Sequence, residues 1–238
     1  MSSPFAQAIY DAHFDDRRRP LVAHDGEETE EHSLDHYFSE FSPEAGHDAW
    51  LESWLDGPVL DMGAGAGRHA LYFQDRFETV AIEQSDLLVE TMRDRGVEDA
   101  RQADMFALRE HFERDRFASA LAIGTQTSLS GSLPGLRRFL RDLAFVTTPD
   151  ATAVVDGFDP EHEVTKAKLD YRADPARGLA YRVLQYEYDG TLGAPWLYRL
   201  FTPDRVREAV VGTGWEVAEV KYGDDDWSHL YEIALRKR

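Results

Sequence analysis

A glycine-rich turn at residues 58–68 has the residue types and spacing best suited to chemistry. These residues read PVLDMGAGAGR: a short apolar strand, an acid (Asp61) at its end, three glycines (Gly63, Gly65 and Gly67) and the start of a helix. Glycine lets a backbone turn tightly and approach a ligand closely. Because the first N–H groups of a helix have no partner within it, they face such a ligand. The sequence therefore predicts a nucleotide-type cofactor on this turn.

Two acids decide which cofactor suits the turn. Glu83 follows Gly63 by twenty residues, at the end of the next predicted strand, where an acid binds ribose hydroxyls. The glycine spacing is Gly-x-Gly-x-Gly, whereas the dinucleotide fingerprint is Gly-x-Gly-x-x-Gly. The carboxylate of Asp61 would repel a pyrophosphate and attract an ammonium or sulfonium group. This charge argument favours S-adenosylmethionine as the cofactor, with NAD(P) as the alternative.

Alternating strands and helices must position this turn. Helical patterns separate the apolar runs, one of them beginning at Ser85 and another at Thr202. Strands that alternate with helices pair in parallel through right-handed crossovers, with helices on both faces of the sheet. The predicted parallel strands lie at 59–62, 79–82, 101–103, 117–123 and 152–156.

The C-terminal part of the chain predicts a different pairing. Strand patterns at 215–221 and 228–235 are separated by a link too short for a parallel crossover, so they form a hairpin. We therefore predict a doubly wound α/β fold of the Rossmann-like type. Its sheet has seven strands, mostly parallel, and its C-terminal strand is antiparallel.

Two segments lie outside this alternating pattern. Residues 1–55 form a predicted N-terminal cap, mainly helical, with a helix between Pro43 and Gly57. The remaining chain, 56–238, is the catalytic domain and carries an insertion at 158–201 between strands five and six. Aromatic residues are frequent in both segments. Because insertions of this kind lie above strand ends, where ligands bind, we expect some of these aromatic side chains to line a substrate pocket.

Several ordered motifs resemble those of class I S-adenosylmethionine-dependent methyltransferases. The resemblance covers residues 55–157 and 200–235 and implies the fold and the cofactor described above. The matching segments are 59–67 (the glycine motif), 80–85 (the ribose-binding acid), 103–105 (the adenine contact), 117–124 (the strand beside the methyl group), and 201–204 with 214–217 (the closing helix and hairpin).

The resemblance also implies which residues hold the cofactor, but it leaves the catalytic group open. Many subfamilies have an aspartate, asparagine or histidine where this chain has Gly124-Thr125-Gln126. The candidates for a general base are Tyr37, His36 and Gln126. The predicted cofactor-binding residues are Asp61, Gly63, Ala64, Gly65, Gly67, Glu83, Gln84, Asp104, Met105, Ile123 and Gly124.

Composition limits the partners. The chain of 238 residues carries 26 basic and 45 acidic residues, a net charge of −19, which repels nucleic acid at ordinary ionic strength. Such a surface resembles those of proteins from salt-loving organisms, although an ordinary acidic protein is the alternative. With no cysteine, disulfides and thiolate metal sites are excluded. The absence of an apolar run near twenty residues and of a leader predicts a cytoplasmic protein without a membrane anchor.

These observations together favour a small-molecule methyl acceptor. No Asn/Asp-Pro-Pro-Tyr/Phe sequence follows the fourth strand, and without cysteine the adduct route to C5-methylated pyrimidines is closed. His32 and His36 are four residues apart beside acids, but chance pairs are expected among nine histidines, so we predict no metal site. Two alternatives stay open, namely an NAD(P)-dependent oxidoreductase and a non-catalytic module that binds S-adenosylmethionine. The pattern does not predict the oligomeric state.

Overall fold

The computed structural model describes residues 3–44, 46–224 and 227–238. Its strands are β1 (Val22–Asp25), β2 (Glu28–Glu31), β3 (Val59–Met62), β4 (Thr79–Glu83), β5 (Ala100–Gln102), β6 (Phe117–Ala122), β7 (Thr147–Phe158), β8 (Tyr171–Ala173), β9 (Leu179–Tyr188), β10 (Thr191–Leu192), β11 (Trp196–Phe201), β12 (Trp215–Tyr222) and β13 (Leu230–Lys237). Its α-helices are α1 (Pro4–His13), α2 (Asp35–Phe38), α3 (Gly46–Glu52), α4 (Arg68–Phe73), α5 (Asp86–Asp94), α6 (Leu108–His111), α7 (Leu133–Val146), α8 (Glu163–Lys168) and α9 (Pro203–Val210).

The main sheet has seven strands in the order β5-β4-β3-β6-β7-β13-β12. Strands β3 to β7 pair in parallel, whereas β13 runs antiparallel to both β7 and β12. The predicted fold class is therefore confirmed, and the antiparallel C-terminal strand lies between its two neighbours instead of at the sheet edge. Each predicted parallel strand is present. The largest boundary difference is β7, which begins at Thr147 because α7 leads directly into it.

Helices cover both faces of this sheet, and their ends follow the capping residues. Ser132 caps α7 by accepting a hydrogen bond from the backbone N–H of Gly135 (3.1 Å), and Thr202 caps α9 in the same way. One face of α7 buries Leu136, Phe139 and Leu143 against the sheet, as the i, i+3, i+7 spacing predicts. Between residues 43 and 57 the observed helix is only α3, which is shorter than predicted.

A second sheet combines strands from the head of the chain and from the insertion. The hairpin of β1 and β2 joins it through β1, which pairs antiparallel with β9 in the register Val22↔Glu187. Strands β8, β10 and β11 also pair with β9, and a turn at Asp189-Gly190 connects β9 to β10. The expectation of a mainly helical head is thus wrong in part, because β2 (ETEE) is fully exposed and carries no alternating apolar pattern that would reveal a strand.

Helix α1 fastens this second sheet to the rest of the molecule. The hydroxyl of Tyr188, at the end of β9, donates to Oδ2 of Asp11 (2.9 Å) and accepts the backbone N–H of Arg18 (3.0 Å). Both Tyr188 and Asp11 are buried. Across the described ranges, 3–44, 46–224 and 227–238, every helix is too short or too polar to cross a membrane.

The Tyr188 hydroxyl predicts a measurable stability difference. Tyr188→Phe removes a donor from the buried carboxylate of Asp11, so the free energy of unfolding should fall by about 1–2 kcal/mol in urea titrations. Tyr10→Phe is the matched control, because its hydroxyl reaches Glu90 at the exposed side of the same helix (3.1 Å) and its loss should cost less than about 0.5 kcal/mol. Equal losses in the two variants would contradict the buried anchor.

Candidate functional site

The glycine turn between β3 and α4 has the tight geometry that its sequence predicts. Backbone N–H groups of Gly63 and Ala64 both donate to the carbonyl of Ile82 (3.0 and 3.1 Å), which ties the turn to the end of β4. The φ angles of Gly63, Gly65 and Gly67 are +67°, +58° and +82°. L-residues with side chains rarely adopt this left-handed region, so the chain needs glycine here.

Two of these glycines also permit close approach by neighbouring side chains. A Cβ added to Gly63 would lie 2.6 Å from Cδ of Gln126, and one added to Gly67 would lie 2.7 Å from Cγ2 of Val97. Since real Cβ contacts are longer than this, any larger residue would displace its neighbour. The turn is therefore packed from below by Val97 and covered at Gly63 by the carboxamide of Gln126.

Asp61, at the end of β3, is buried without full compensation. Its side chain is only 2% exposed, and its Oδ2 has no hydrogen-bond partner among the described residues. The pKa of Asp61 is raised to about 7, chiefly by burial and in addition by the carboxylate of Glu83, against the opposing hydrogen bond from the N–H of Ala70. A buried, unpaired carboxylate oxygen next to a ligand-binding turn is suited to a positively charged ligand group.

Glu83, at the end of β4, lies against the same turn. Its Oε2 accepts the N–H of Gly65 (3.3 Å), and its Oε1 accepts the N–H of Gln84 (2.9 Å). Burial raises the pKa of Glu83, while these backbone donors lower it. Each oxygen has a further lone pair, so the carboxylate can still accept bonds from two neighbouring hydroxyl groups.

The predicted adenine contacts follow β5. Asp104 caps a 3₁₀ turn (Met105–Ala107) by accepting the N–H of Phe106 at Oδ1 (2.8 Å), and the side chain of Met105 is buried in the main core. In this structure Asp104 therefore acts as a helix cap. A cap through one oxygen is compatible with a ligand contact through the other.

Beyond β6, the chain is held by a residue that sequence analysis missed. Asp156, near the end of β7, accepts the N–H of Gly124 at Oδ2 (2.9 Å) and the N–H of Thr125 at Oδ1 (2.6 Å). The hydroxyl of Thr127 donates to the backbone carbonyl of Asp156 (3.0 Å). Asp156 is 3% exposed, and burial raises its pKa to about 7 although the two N–H donors oppose the shift. The sequence signal for this residue is that Asp156 is a single acid at the end of the apolar run TAVVD at 152–156.

This clamp fixes the backbone that faces the glycine turn. Ile123, half-buried, and Gly124, exposed, come directly after β6, and Gly124 and Thr125 both have positive φ angles (+91° and +59°). Thr125 is β-branched and therefore strained in this region. Strain of this kind persists where surrounding contacts impose it, and here the carboxylate of Asp156 supplies them.

Two of the three candidate base residues meet at the turn. The ring of Tyr37 lies 3.6 Å from where a Cβ of Gly65 would be, and Cδ of Gln126 lies 2.6 Å from the corresponding position of Gly63. His36, in α2, is exposed, and in the described part of the chain no contact between its side chain and the glycines of the turn is observed. Partial desolvation of its imidazole lowers the pKa of His36, and the charge of Arg68 lowers it further.

The two histidines considered for a metal have separate surroundings. His32 precedes α2 and its Nε2 lies 3.1 Å from the hydroxyl of Tyr37, so it does not share a helix face with His36. Within the described residues, no group of three or more His, Cys, Asp or Glu side chains is arranged to hold a metal ion.

Two arginines join the head of the chain to the glycine turn. Nη1 of Arg95 donates to the carbonyls of Tyr37 (3.1 Å) and Ala66. Nη2 of Arg68, at the first residue of α4, donates to Oδ2 of Asp48 in α3 (2.6 Å). Both contacts hold α2 and α3 over the carboxyl ends of β3 and β4, and neither was predicted from sequence.

Solved structures similar to this one include several methyltransferases. No family model and no curated protein matches the sequence. The chain is similar in structure to a SAM-dependent methyltransferase from Bacteroides fragilis in complex with S-adenosyl-L-homocysteine, at TM-score 0.77 and 23% identity, over 99% of this chain and 95% of that one. It is also similar to the CcbJ methyltransferase from Streptomyces caelestis, at TM-score 0.61 and 16% identity, over 79% and 87% of the two chains.

A third similar structure is a SAM-bound amino pentose methyltransferase from Micromonospora echinaspora, at TM-score 0.52 and 16% identity, over 76% of this chain and 83% of that one. All three likenesses are of architecture, since identities are below the level at which function transfers. Together with the observed strand order, they show that this chain has the fold of the class I S-adenosylmethionine-dependent methyltransferases.

Proposed function

We propose that this protein is an S-adenosylmethionine-dependent methyltransferase that acts on a small molecule. The observation that carries the proposal is the unpaired, buried Oδ2 of Asp61 beneath the glycine turn. S-adenosylmethionine has an ammonium and a sulfonium group and no phosphate, so it supplies the positive charge that this oxygen lacks. Two of the similar structures contain S-adenosyl-L-homocysteine or S-adenosylmethionine, which supports the same assignment.

The residues present fit this cofactor. Asp61 would face its ammonium group, Glu83 would accept bonds from its ribose hydroxyls, and Gly63 and Gly65 supply the positive φ angles that the turn requires. Asp104 and Met105 remain the proposed adenine contacts, with Gln84 beside the ribose. Ala64, Gly67, Ile123 and Gly124 complete the proposed binding residues.

An NAD(P)-dependent oxidoreductase fits the same site less well. A dinucleotide would bring two phosphates to the glycine turn, within range of the carboxylates of Asp61 and Glu83. Asp61 is 2% exposed, so water does not screen that repulsion. We therefore favour the sulfonium cofactor.

Catalysis in this site requires positioning more than proton chemistry. When bound, the cofactor supplies a methyl group on a positively charged sulfur that departs as a neutral thioether. The clamp from Asp156 holds Gly124 and Thr125 in fixed positions opposite the glycine turn. Tyr37 and Gln126 lie over that turn and would exclude water from the reacting atoms.

The proposed acceptor is a small molecule, and the proposed setting is the cytoplasm of a salt-adapted cell. A net charge of −19 disfavours nucleic acid, and one of the similar structures is an amino pentose methyltransferase. High salt would screen the mutual repulsion of the acidic surface groups.

A labelled-methyl assay tests the proposed function. The protein is incubated with S-adenosylmethionine carrying a labelled methyl group and a broad panel of metabolites, at low salt and in molar KCl. We expect label on a small molecule and stoichiometric release of S-adenosylhomocysteine. Binding of both sulfur cofactors without transfer to any panel member would instead indicate a non-catalytic binding module.

The ribose assignment of Glu83 predicts a loss of affinity. Glu83→Ala should weaken S-adenosylhomocysteine binding by about tenfold or more, the scale of lost charge-assisted hydrogen bonds. Isothermal titration calorimetry measures the change. Glu98→Ala removes one exposed carboxylate elsewhere and should leave the affinity within about twofold. Unchanged affinity in Glu83→Ala would refute the assignment.

The raised pKa of Asp61 predicts that cofactor affinity depends on pH. Because the folded pKa of about 7 lies above the ordinary aspartate pKa of 3.8, ionised Asp61 destabilises the free protein increasingly as pH rises through this interval. A bound ammonium favours the ionised form. Affinity for S-adenosylhomocysteine should therefore rise with pH, by up to about tenfold per unit, until it levels off above about pH 7.

Calorimetry over about pH 5.5 to 8.5 measures this slope, and Asp61→Asn is the control. The variant should bind more weakly at high pH and should lose most of the slope. A variant that keeps the wild-type slope would show that another group, such as Glu83 or Asp156, titrates instead.

A further inference from the structure

Aromatic side chains of the second sheet and of the head lie beside the glycine turn. Six residues, which we call the aromatic cluster, pack together there from α1, the segment before α2, α2 itself, β9 and β11. Ring centroids of Phe5 lie 5.5 Å from Tyr37 and 4.9 Å from Tyr186, and those of Tyr186 lie 5.3 Å from Trp196. The aromatic cluster consists of Phe5, His32, Tyr37, Tyr186, Trp196 and Tyr198.

Two of its tyrosines are buried without a partner for their hydroxyl groups. Tyr186 is 6% exposed and Tyr198 is 8% exposed, and burial raises the pKa of both. Among the described residues, neither hydroxyl takes part in a hydrogen bond. Tyr188, two residues along the same face of β9, has both of its hydroxyl bonds satisfied. Neither hydroxyl oxygen is among the fully buried unpaired atoms of the described residues, so both reach accessible space, where a ligand could bond to them.

The aromatic cluster adjoins the proposed methyl-transfer site. The ring of Tyr37 covers Gly65 at 3.6 Å, and Ala66 of the same turn belongs to the apolar core that contains Tyr186 and Tyr198. Strand β11, which carries Tyr198, packs against the turn Gln126–Ser130 after β6. The aromatic cluster therefore adjoins both segments that border the proposed cofactor site.

Charge around the aromatic cluster is balanced. Arg182, across from Tyr198 in the register of β9 and β11, donates through Nε to Oδ2 of Asp25 (2.9 Å). Burial lowers the pKa of His32, the guanidinium of Arg182 and the imidazole of His36 lower it further, and only the exposed Glu30 raises it. His32 is therefore neutral near pH 7, and its Nε2 can accept a hydrogen bond from the hydroxyl of Tyr37. Oδ1 of Asp25 is buried and has no partner among the described residues, so it can accept one more hydrogen bond.

From this arrangement we infer that the aromatic cluster binds the methyl acceptor, and that the acceptor is an uncharged aromatic molecule with an N–H or O–H group. The inference rests on the proposed function and specifies the substrate class of the same site. Rings of Phe5 and Trp196 would pack on the ring of the acceptor, and Tyr186 and Tyr198 would bond to its polar groups. Arg182 and Asp25 compensate each other's charge in an ion pair, so the cluster offers no net charge to a cationic or an anionic acceptor, and both are disfavoured.

Three naphthalene probes that differ in charge test the inference. Neutral 2-naphthol, anionic 2-naphthoate and cationic 2-naphthylmethylammonium are titrated calorimetrically into the protein saturated with S-adenosylhomocysteine, near pH 7.5. We expect 2-naphthol to bind at least about tenfold more tightly than either ion, because each ion must be desolvated without a net opposite charge to compensate it. An ion that binds as tightly as 2-naphthol, or no binding of 2-naphthol to this complex, would overturn the inference.

Tyrosine variants locate the probe. Tyr186→Phe and Tyr198→Phe should each weaken 2-naphthol by about threefold to tenfold and leave the melting temperature unchanged, since the lost hydroxyls bond to nothing in the protein. Tyr181→Phe, on the opposite face of β9, is the matched control and should leave 2-naphthol affinity unchanged. Unaltered affinity in both test variants would refute the site.

Failure of this inference and failure of the proposed function give different results. Affinity for S-adenosylhomocysteine is measured separately in the wild type and in every variant. If S-adenosylhomocysteine binds normally and the probes show no preference for the neutral form, only the acceptor assignment fails. If S-adenosylhomocysteine does not bind to the wild type, the proposed function itself fails.

Discussion

The unpaired carboxylate of Asp61 is the constraint on which the account of this site depends. Its Oδ2 is buried at the end of β3 with no hydrogen-bond partner among the described residues. An ionised oxygen in that position destabilises a protein unless a ligand compensates it. The glycine turn above it leaves the necessary space, and Glu83 adds a second negative group nearby. These features together select a ligand that carries positive charge, and they disfavour one that carries phosphate.

Two layers of structure keep this charge in place. Below the turn, the parallel strands β3, β4 and β6 align their carboxyl ends at one edge, where Asp156 fixes the backbone of Gly124 and Thr125. Above it, the second sheet depends on the head and the insertion together, because β1 pairs with β9. Arg95 then ties Tyr37 to the carbonyl of Ala66, so the covering layer is fastened directly to the turn. The second sheet therefore limits access to the glycine turn, and this sheet forms only when the head of the chain pairs with the insertion.

Local signals in the sequence predicted the parallel core well. The strand at 59–62, the helix start at Thr202, and the C-terminal hairpin each follow from short-range patterns of apolar spacing and capping. The covering layer was predicted only in part. The contact between Arg182 and Asp25 joins residues 157 positions apart, and no local pattern signals such a pair. The clamp by Asp156 likewise depends on β6 and β7 being neighbours. Strand β2 was missed because its four residues are all exposed and polar.

Calorimetric comparison of three ligands tests the central claim about Asp61 most directly. S-adenosylhomocysteine has the amino group that would face Asp61, 5′-methylthioadenosine keeps the adenosine and sulfur but lacks that group, and NAD carries a pyrophosphate. The account predicts that S-adenosylhomocysteine binds, that 5′-methylthioadenosine binds at least about tenfold more weakly, and that NAD does not bind measurably. Equal affinity for S-adenosylhomocysteine and 5′-methylthioadenosine, or tighter binding of NAD, would contradict the account.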